Sequence, residues 1–529
     1  MVLLWIIILM KKLSLKEFTE KSVLVTFTKF KAYNCVSVSQ FLKELCLDVS
    51  FGAKTIKFSH TSMFKLLLFM RLKKIRFQAK MAKYLRSHEQ DALNLGFYRN
   101  EKGELIIPDQ RTISHFVNHI IDSDAIDILN SITQLIEDTA IKFGIVFDVE
   151  TIKIEKPKEN NNTRTFENRK SAKLMELCRF AKKIIYPQIS MDMHHNAKYK
   201  KNLLLDILVY LSKERTFAHD GLKRLETERN KKSPDSDTLL YHLKKYENIE
   251  ILQRMFEKAF DISWKIAKSS QLFDKRNYDV AIDYTDWFYY GKRAPMVVRK
   301  KPEKGTTKCY RFATINIVES ENRFTLLALP VGIFDSKVDI VDKLISYAKT
   351  KIRINKIYAD RGFFSADIIN LFKKHNLTFL MPATQNKRIA KMVKVLSAPS
   401  VIKDYEMTDG RVTFNLAIID DGKGKKAFAT NLNINENESG LANRLFNLYS
   451  KRWGIETSYR MKTEMRAKTT SKNYIIRLFY FLFSTLLYNL WILIDSIISR
   501  SLLGRVIAKH LVTEKGFATM LFALVGDDG

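Results

Sequence analysis

The sequence predicts an α/β core with a β-rich insertion, preceded by a mostly α-helical N-terminal region, on three observations. Apolar runs at 278–283, 311–318 and 324–331, a helical stretch at about 337–350 and a further run, Ile357-Tyr-Ala-Asp360, give the order β-β-β-α-β. Upstream, apolar residues recur at helical spacing over most of 112–270. Between Asp360 and Glu456 the chain is longer than one helix and one strand require, and residues 399–432 alternate as strands do.

From the N-terminus, residues 1–85 are basic and aromatic without clean periodicity, as in Phe64-Lys-Leu-Leu-Leu-Phe-Met-Arg-Leu-Lys-Lys-Ile-Arg-Phe77. They read either as a DNA-contacting arm or as an extension without that role. Residues 86–155 form a helical domain. Its spacing from Thr112 to Phe143 predicts two helices with Asp122-Ser-Asp124 as the cap between them, compatible with a helix-turn-helix-like reader or with any small bundle. Glu155-Lys-Pro-Lys-Glu-Asn-Asn-Asn-Thr163 is a polar linker. Residues 156–275 are again helical, broken at Lys231–Asp237, where Asp235-Ser-Asp237 caps a helix from near Thr238. The core spans 276–500, with Ser320-Glu-Asn-Arg323 as a hairpin turn. Its insertion covers about 385–435, with Asp409-Gly-Arg411 and Asp420-Asp-Gly-Lys-Gly-Lys425 as turns. Lys423, Lys425 and Lys426 there either touch DNA or cap a solvated hairpin. Residues 501–529 read as a tail.

Composition bounds the partners. Lys and Arg number 89 against 57 Asp and Glu, a formal net charge of +32, which fits a polyanion. A hydrophobic share of 46% and 12% aromatics imply folded cores, not a basic disordered chain. Cys35, Cys46, Cys178 and Cys309 show no pairing or zinc spacing, and His194-His195 has no thiols beside it. Val2–Met10 is too short to span a bilayer and carries its lysines on the wrong side for a signal peptide. The apolar run from Leu478 to Ile494 holds Ser484, Thr485 and Asn489 and reads as a buried helix, so no membrane role is expected and the location is cytoplasmic.

Three acids carry the chemistry. Asp283 closes the run Tyr278-Asp-Val-Ala-Ile-Asp, Asp360 closes the last strand before Arg361-Gly-Phe-Phe-Ser365, and Glu456 ends Tyr449-Ser-Lys-Arg-Trp-Gly-Ile-Glu in a helical segment. Two carboxylates on strand ends and one on a helix can converge on a pair of hard divalent cations that activate a water or a 3′-hydroxyl. Without cations such acids would repel and raise one another's pKa. Asp286 competes with Asp283, which is preferred because it directly ends the apolar run. Gly362 suggests a tight turn after Asp360.

Asp-Arg-Gly-Phe-Phe-Ser after a strand, then Tyr-x-x-Arg-x-x-x-Glu on a helix, resembles the DDE transposases of bacterial and archaeal insertion sequences, in the group with a Tyr-Arg-Glu-Lys signature. The likeness covers about 275–495 well and 85–275 loosely. It implies an RNase H-like core in which the first and fourth strands adjoin, bringing Asp283 and Asp360 together. It assigns Asp283, Asp360 and Glu456 as catalytic and metal-binding, with two Mg²⁺ that Mn²⁺ can replace. Tyr449, Arg452, Arg361, Arg460 and Lys462 are expected on DNA. The signature's lysine falls on Thr463. On a continuous helix Arg460 shares the face of Tyr449, Arg452 and Glu456, and Lys462 points away, so Arg460 is the preferred cation and Lys462 the fallback. Trp453, Trp287 and Tyr289 are candidates to stack on an unpaired base.

The implied function is a transposase that binds terminal inverted repeats in double-stranded DNA, cleaves by two-metal hydrolysis and joins 3′-hydroxyl ends to target DNA, as a homodimer in the DNA complex. The alternatives are a non-catalytic DNA-binding descendant and a structure-specific nuclease of the same fold.

Overall fold

The computed structural model describes residues 21–524 except 32, 34, 48, 51–56, 74, 76, 122, 144, 149–162, 195, 231, 247, 274, 293, 320–322, 408–411, 421, 423, 436, 439 and 508. The expected linker at 155–163, the hairpin turn at 320–323, the Asp409 turn and Lys423 lie wholly or mostly outside them. The chain divides into two units, residues 1–152 with 268–276, and residues 153–267 with 277–529.

In the first unit, one apolar core runs from Val23 to Ile145, so the expected boundary at 85/86 does not exist. Phe27, Phe41 and Phe69 from one side of it are buried together with Ile113, Phe116 and Ile136 from the other. Residues 60–72, which show no periodicity, form a helix buried around most of its circumference, and an apolar stripe has no meaning where every face is covered. The expected helical pair appears as Gln110–His115, continued by a wider turn at Phe116–Ile120, and Ser123–Phe143. Asp122 lies outside the described residues.

The second unit opens with helices α1 (Thr163–Ile185), α2 (Lys201–Glu214), α3 (Ala218–Arg229), α4 (Ser236–Lys244) and α5 (Ile249–Ser269). The core strands are β1 (Asn277–Phe288), β2 (Val297–Glu303), β3 (Thr306–Val318), β4 (Arg323–Val331), β5 (Arg353–Ala359) and β6 (Thr378–Pro382). Helix α6 (Lys337–Lys349) precedes β5, and α7 (Ala366–Lys374) follows it. β3 pairs antiparallel with β1 and β4, whereas β5 runs parallel to both β1 and β6. The resulting order β4-β3-β1-β5-β6 is that of an RNase H-like core, with the first and fourth core strands adjacent. β2, absent from the sequence reading, pairs with the start of β3.

After α8 (Lys387–Val395), the strands β7 (Ser400–Glu406), β8 (Thr413–Asp420) and β9 (Lys425–Thr430) continue the same sheet, β9 pairing antiparallel with β6. The β-rich segment thus widens the core sheet to nine strands. Helices α9 (Leu441–Ser450), α10 (Trp453–Glu464), α11 (Tyr474–Leu503) and α12 (Glu514–Ala523) complete the unit.

Helix α11 is long and apolar enough to cross a membrane, with mean hydropathy 1.7, but its apolar window is wholly buried inside the fold. It packs against β4, α1 and α4. The preceding helices therefore belong to the same unit as the core sheet, which corrects the separate 156–275 region. Buried pairings tie them in: Lys182 Nζ lies 2.7 Å from Asp206, and Tyr347 of α6 donates to Asp261 of α5 at 2.5 Å. The C-terminal stretch is also no tail. α12 packs on α1 and α2, with Phe522 5.0 Å from the Tyr210 ring.

Candidate active site

β1 carries the first acid, and its alternation explains what surrounds it. Residues 279, 283 and 287 share one face of the strand, and 284, 286 and 288 the other. Asp286 binds Arg311 at 2.8 Å and Lys300 at 3.2 Å on the face opposite Asp283. On the first face α10 packs across β1 and β3.

Asp283 accepts from the Tyr284 N–H at 2.7 Å and from Arg452 Nη1 at 3.2 Å. Arg452 Nη2 donates to Glu456 Oε1, one helical turn on. Burial pushes the Asp283 carboxyl up to about 7 against the opposing charge of Arg452, and Asp360 and Glu456 add to the rise. The three acids thus act on one another through space. Asp360 ends β5 and precedes a short turn of helix, Arg361–Phe363. Lys337 Nζ holds the Gly362 carbonyl at 2.6 Å. A Cβ on Gly362 would meet only Asp360 Oδ2, at 3.8 Å, so this turn does not need glycine.

Among the described residues no three His, Cys, Asp or Glu side chains stand close enough to hold one ion. Arg452 supplies the positive charge between Asp283 and Glu456. The donor set is carboxylate only, the chemistry a hard divalent cation prefers, although Arg452 holds two of the three acids in this arrangement.

The remaining expected residues separate into exposed and buried. Arg361 and Arg460 are exposed. Tyr449 is mostly buried, its ring 5.2 Å from Phe428, and lies on α9 while Glu456 lies on α10, so the continuous helix assumed for them is broken at Lys451–Arg452. Arg452 is buried and engaged by two acids, which takes it off the DNA surface. Lys462 is 2% exposed, with Nζ 3.2 Å from Asn316 Oδ1 and 3.4 Å from Ser458 Oγ. A phosphate has no access to it, which corrects its assignment as a DNA contact.

A cavity of about 940 Å³ opens beside Asp360, lined by Arg361, Lys426, Phe446, Tyr449 and Trp453 among others. Trp453 is 59% exposed there. Lys425 turns inward to the Leu396 carbonyl. The other two aromatics are not available for stacking. Trp287 already carries the Arg466 guanidinium 3.9 Å from its centroid, and Tyr289 is buried against Tyr310.

Residues 337–490 match the family model described as Transposase DDE domain. That part of the chain is similar to the DDE domain of transposases. The match includes Asp360 and Glu456 and begins beyond Asp283. No curated protein matches the chain. Among solved structures it is similar to a piggyBac transposase synaptic complex with hairpin DNA, determined by cryo-EM, at 13% identity and TM-score 0.44, covering 68% of this chain and 78% of that one.

Two features of the candidate site escaped sequence reasoning. Asp279, on the Asp283 face, is buried and bonded to Lys451 Nζ at 2.6 Å; burial raises its pKa, but the Lys451 bond and charge outweigh it and the carboxyl ends below the usual range. The period-two spacing of 279 and 283 was the available signal. Below Asp283, a polar chain runs through Tyr459, Thr314, Asn316 and Thr325, and nothing in local sequence announces it.

Proposed function

We propose that the protein is a DDE DNA transposase, with Asp283, Asp360 and Glu456 as its acids. The observation that carries this is that Arg452 joins Asp283 of β1 to Glu456 of α10 while Asp360 ends the adjacent strand β5, in a core whose later part matches a transposase DDE domain. Divalent cations, Mg²⁺ or Mn²⁺, held by these three carboxylates would supply Lewis-acid stabilisation and an activated oxygen nucleophile for phosphodiester cleavage and strand joining. DDE transposases in general use divalent metal ions.

The chain's own residues do the rest. Arg452 orients Asp283 and Glu456 toward each other. Tyr459 fixes the Asp283 backbone by donating to its carbonyl at 2.8 Å. Arg361 and Arg460, exposed at the two ends of the site, attract backbone phosphates, and the net charge of +32 supplies affinity over the wider surface. The substrates are the terminal repeats of the element encoding the chain and a target duplex, joined by a homodimer.

One observation favours a second reading, a non-catalytic DNA-binding descendant: Arg452 occupies oxygens of two of the three acids. Incubating the full-length protein with Mn²⁺, DNA flanking its gene and a target plasmid separates the readings. Sequenced junctions between inverted repeat ends and target support transposition. Binding without junctions supports the descendant, and nicking without joining supports a nuclease.

A further inference from the structure

Along one face of β1, Asp279, Asp283 and Trp287 recur every fourth residue, and each meets cations from the helical layer. Asp279 takes Lys451 at 2.6 Å and Asp283 takes Arg452 at 3.2 Å. At Trp287 two guanidinium groups gather, Arg466 at 3.9 Å and Arg477 at 5.1 Å from the indole centroid. The first two cations have carboxylates. Among the described residues the pair on Trp287 has none.

Arg466 has no side-chain hydrogen bond or ion pair among the described residues, and its guanidinium lies on the indole face. Arg477 Nε donates to the Ser471 carbonyl at 2.8 Å, and its other neighbours are the rings of Tyr289 and Tyr310. The nearby acid Glu464 is bonded to Arg215. Burial, then repulsion from Arg477 and Arg215, pulls Arg466 down to about 9, and burial also lowers Arg477. Two like charges drawn out of water onto one ring are unfavourable until an anion joins them. The cluster is reachable through Arg466, which like Trp287 is half-buried with Lys468 and Lys472 exposed beside it, whereas Arg477 is buried and lends charge from behind.

We propose that Arg466, stacked on Trp287 and reinforced by the buried charge of Arg477 behind it, binds a backbone phosphodiester of the DNA strand that lies across Asp283. A planar guanidinium stacked on an indole keeps its N–H edge free for bidentate contact with phosphate oxygens. The register of β1 against β3 is unbroken from Asp283 to Phe288, so Trp287 stands about 13 Å along the strand from Asp283. That span corresponds to roughly two to four nucleotides. The inference rests on the transposase reading for the identity of the polyanion, whereas the anion site follows from the arginines alone.

The test measures binding of full-length protein to duplexes carrying a gene-flanking end, in EDTA, across a salt series. The set includes duplexes with single neutral methylphosphonates at each position near the end. Arg466→Met keeps the stack without charge, and the expected slope of log affinity on log salt falls by about 0.9 relative to wild type. One methylphosphonate a few nucleotides from the cleaved bond weakens wild type and is silent in the variant. A wild-type slope in Arg466→Met with unchanged melting temperature overturns the proposal, as does a methylphosphonate profile identical in both proteins. If Arg466→Met does not fold, Arg466→Gln is read by the same two criteria. Inorganic phosphate serves as a competitor: loss of the Arg466 dependence at phosphate levels that leave the methylphosphonate profile intact assigns the site to free phosphate and overturns the DNA assignment. Equal affinity of wild type for flanking and random DNA counts against the transposase reading, while the Arg466 slope remains measurable on either duplex.

Discussion

Lys462 Nζ stands 3.2 Å from Asn316 Oδ1 at the base of a buried polar chain that ends at the first acid. Thr325 also donates to that oxygen, at 2.6 Å, and Asn316 Nδ2 donates to Thr314 Oγ1 at 2.7 Å. Thr314 and Tyr459 share a hydrogen bond of 2.7 Å, and Tyr459 donates to the Asp283 carbonyl. The lysine next to the signature position, expected as the fallback DNA contact, thus supports the strand beneath Asp283.

Lys462→Met is expected to leave DNA affinity unchanged and to alter the pH dependence of stability. Burial lowers the Lys462 pKa from 10.5 to about 7. Between those values the unfolded chain holds more protons than the folded one, so this lysine makes stability rise with pH from about 7 toward 10.5. Urea unfolding of both proteins at pH 6.5 and pH 9 should show wild type gaining on the variant as pH rises. A pH-independent difference would contradict the buried cation.

Arg460 carries the opposite expectation. It is exposed on α10, one turn beyond Glu456. Arg460→Ala should weaken end-DNA binding and lower the salt slope by about 0.9, at wild-type stability. A binding defect in Lys462→Met with none in Arg460→Ala would reverse both assignments.

Tyr459→Phe removes one hydroxyl from the polar chain and nothing else. The loss of two hydrogen bonds should cost about 1–3 kcal/mol in urea unfolding. Cleavage should also require more Mn²⁺ for half-maximal rate, because the Asp283 backbone loses its tether. An unchanged Mn²⁺ requirement would show that the tether does not position the acid.

Asn489 makes α11 part of the catalytic sheet. Its amide accepts from the Thr325 N–H at 3.0 Å and donates to the Thr325 carbonyl at 2.9 Å, fully buried. Asn489→Leu strands both backbone groups, each worth about 1–3 kcal/mol. Thermal unfolding should report a large loss, and a loss below about 1 kcal/mol would mean that water replaces the amide.

The core strands were legible because each is an apolar run ended by polar residues, whereas the adjacency of the first and fourth was implied only by the family resemblance. β1 was read too short: beyond Asp283 the residues Tyr-Thr-Asp-Trp-Phe break the apolar run without alternating, and only the pairing with β3 shows that the strand continues to Phe288. The helix at 60–72 was missed because it is apolar all round, and the 85/86 boundary failed because composition changes there while packing does not. Asp283 and Asp360 close apolar runs in the sequence, whereas their grouping with Glu456 as one site came from the family resemblance. The Trp287–Arg466 stack and the Lys462–Asn316 bond join residues about 150 to 180 positions apart, and local pattern carries no information at that range.

The most direct test of the acids' role is cleavage of a labelled gene-flanking end by full-length wild type, Asp283→Ala, Asp360→Ala and Glu456→Ala, each with Mg²⁺, Mn²⁺ or EDTA and with DNA binding measured in parallel. The expected result is cleavage by wild type in either metal, none in EDTA, and none by any variant although each still binds DNA. Full cleavage by Asp360→Ala, or equal wild-type activity in EDTA, would contradict the account.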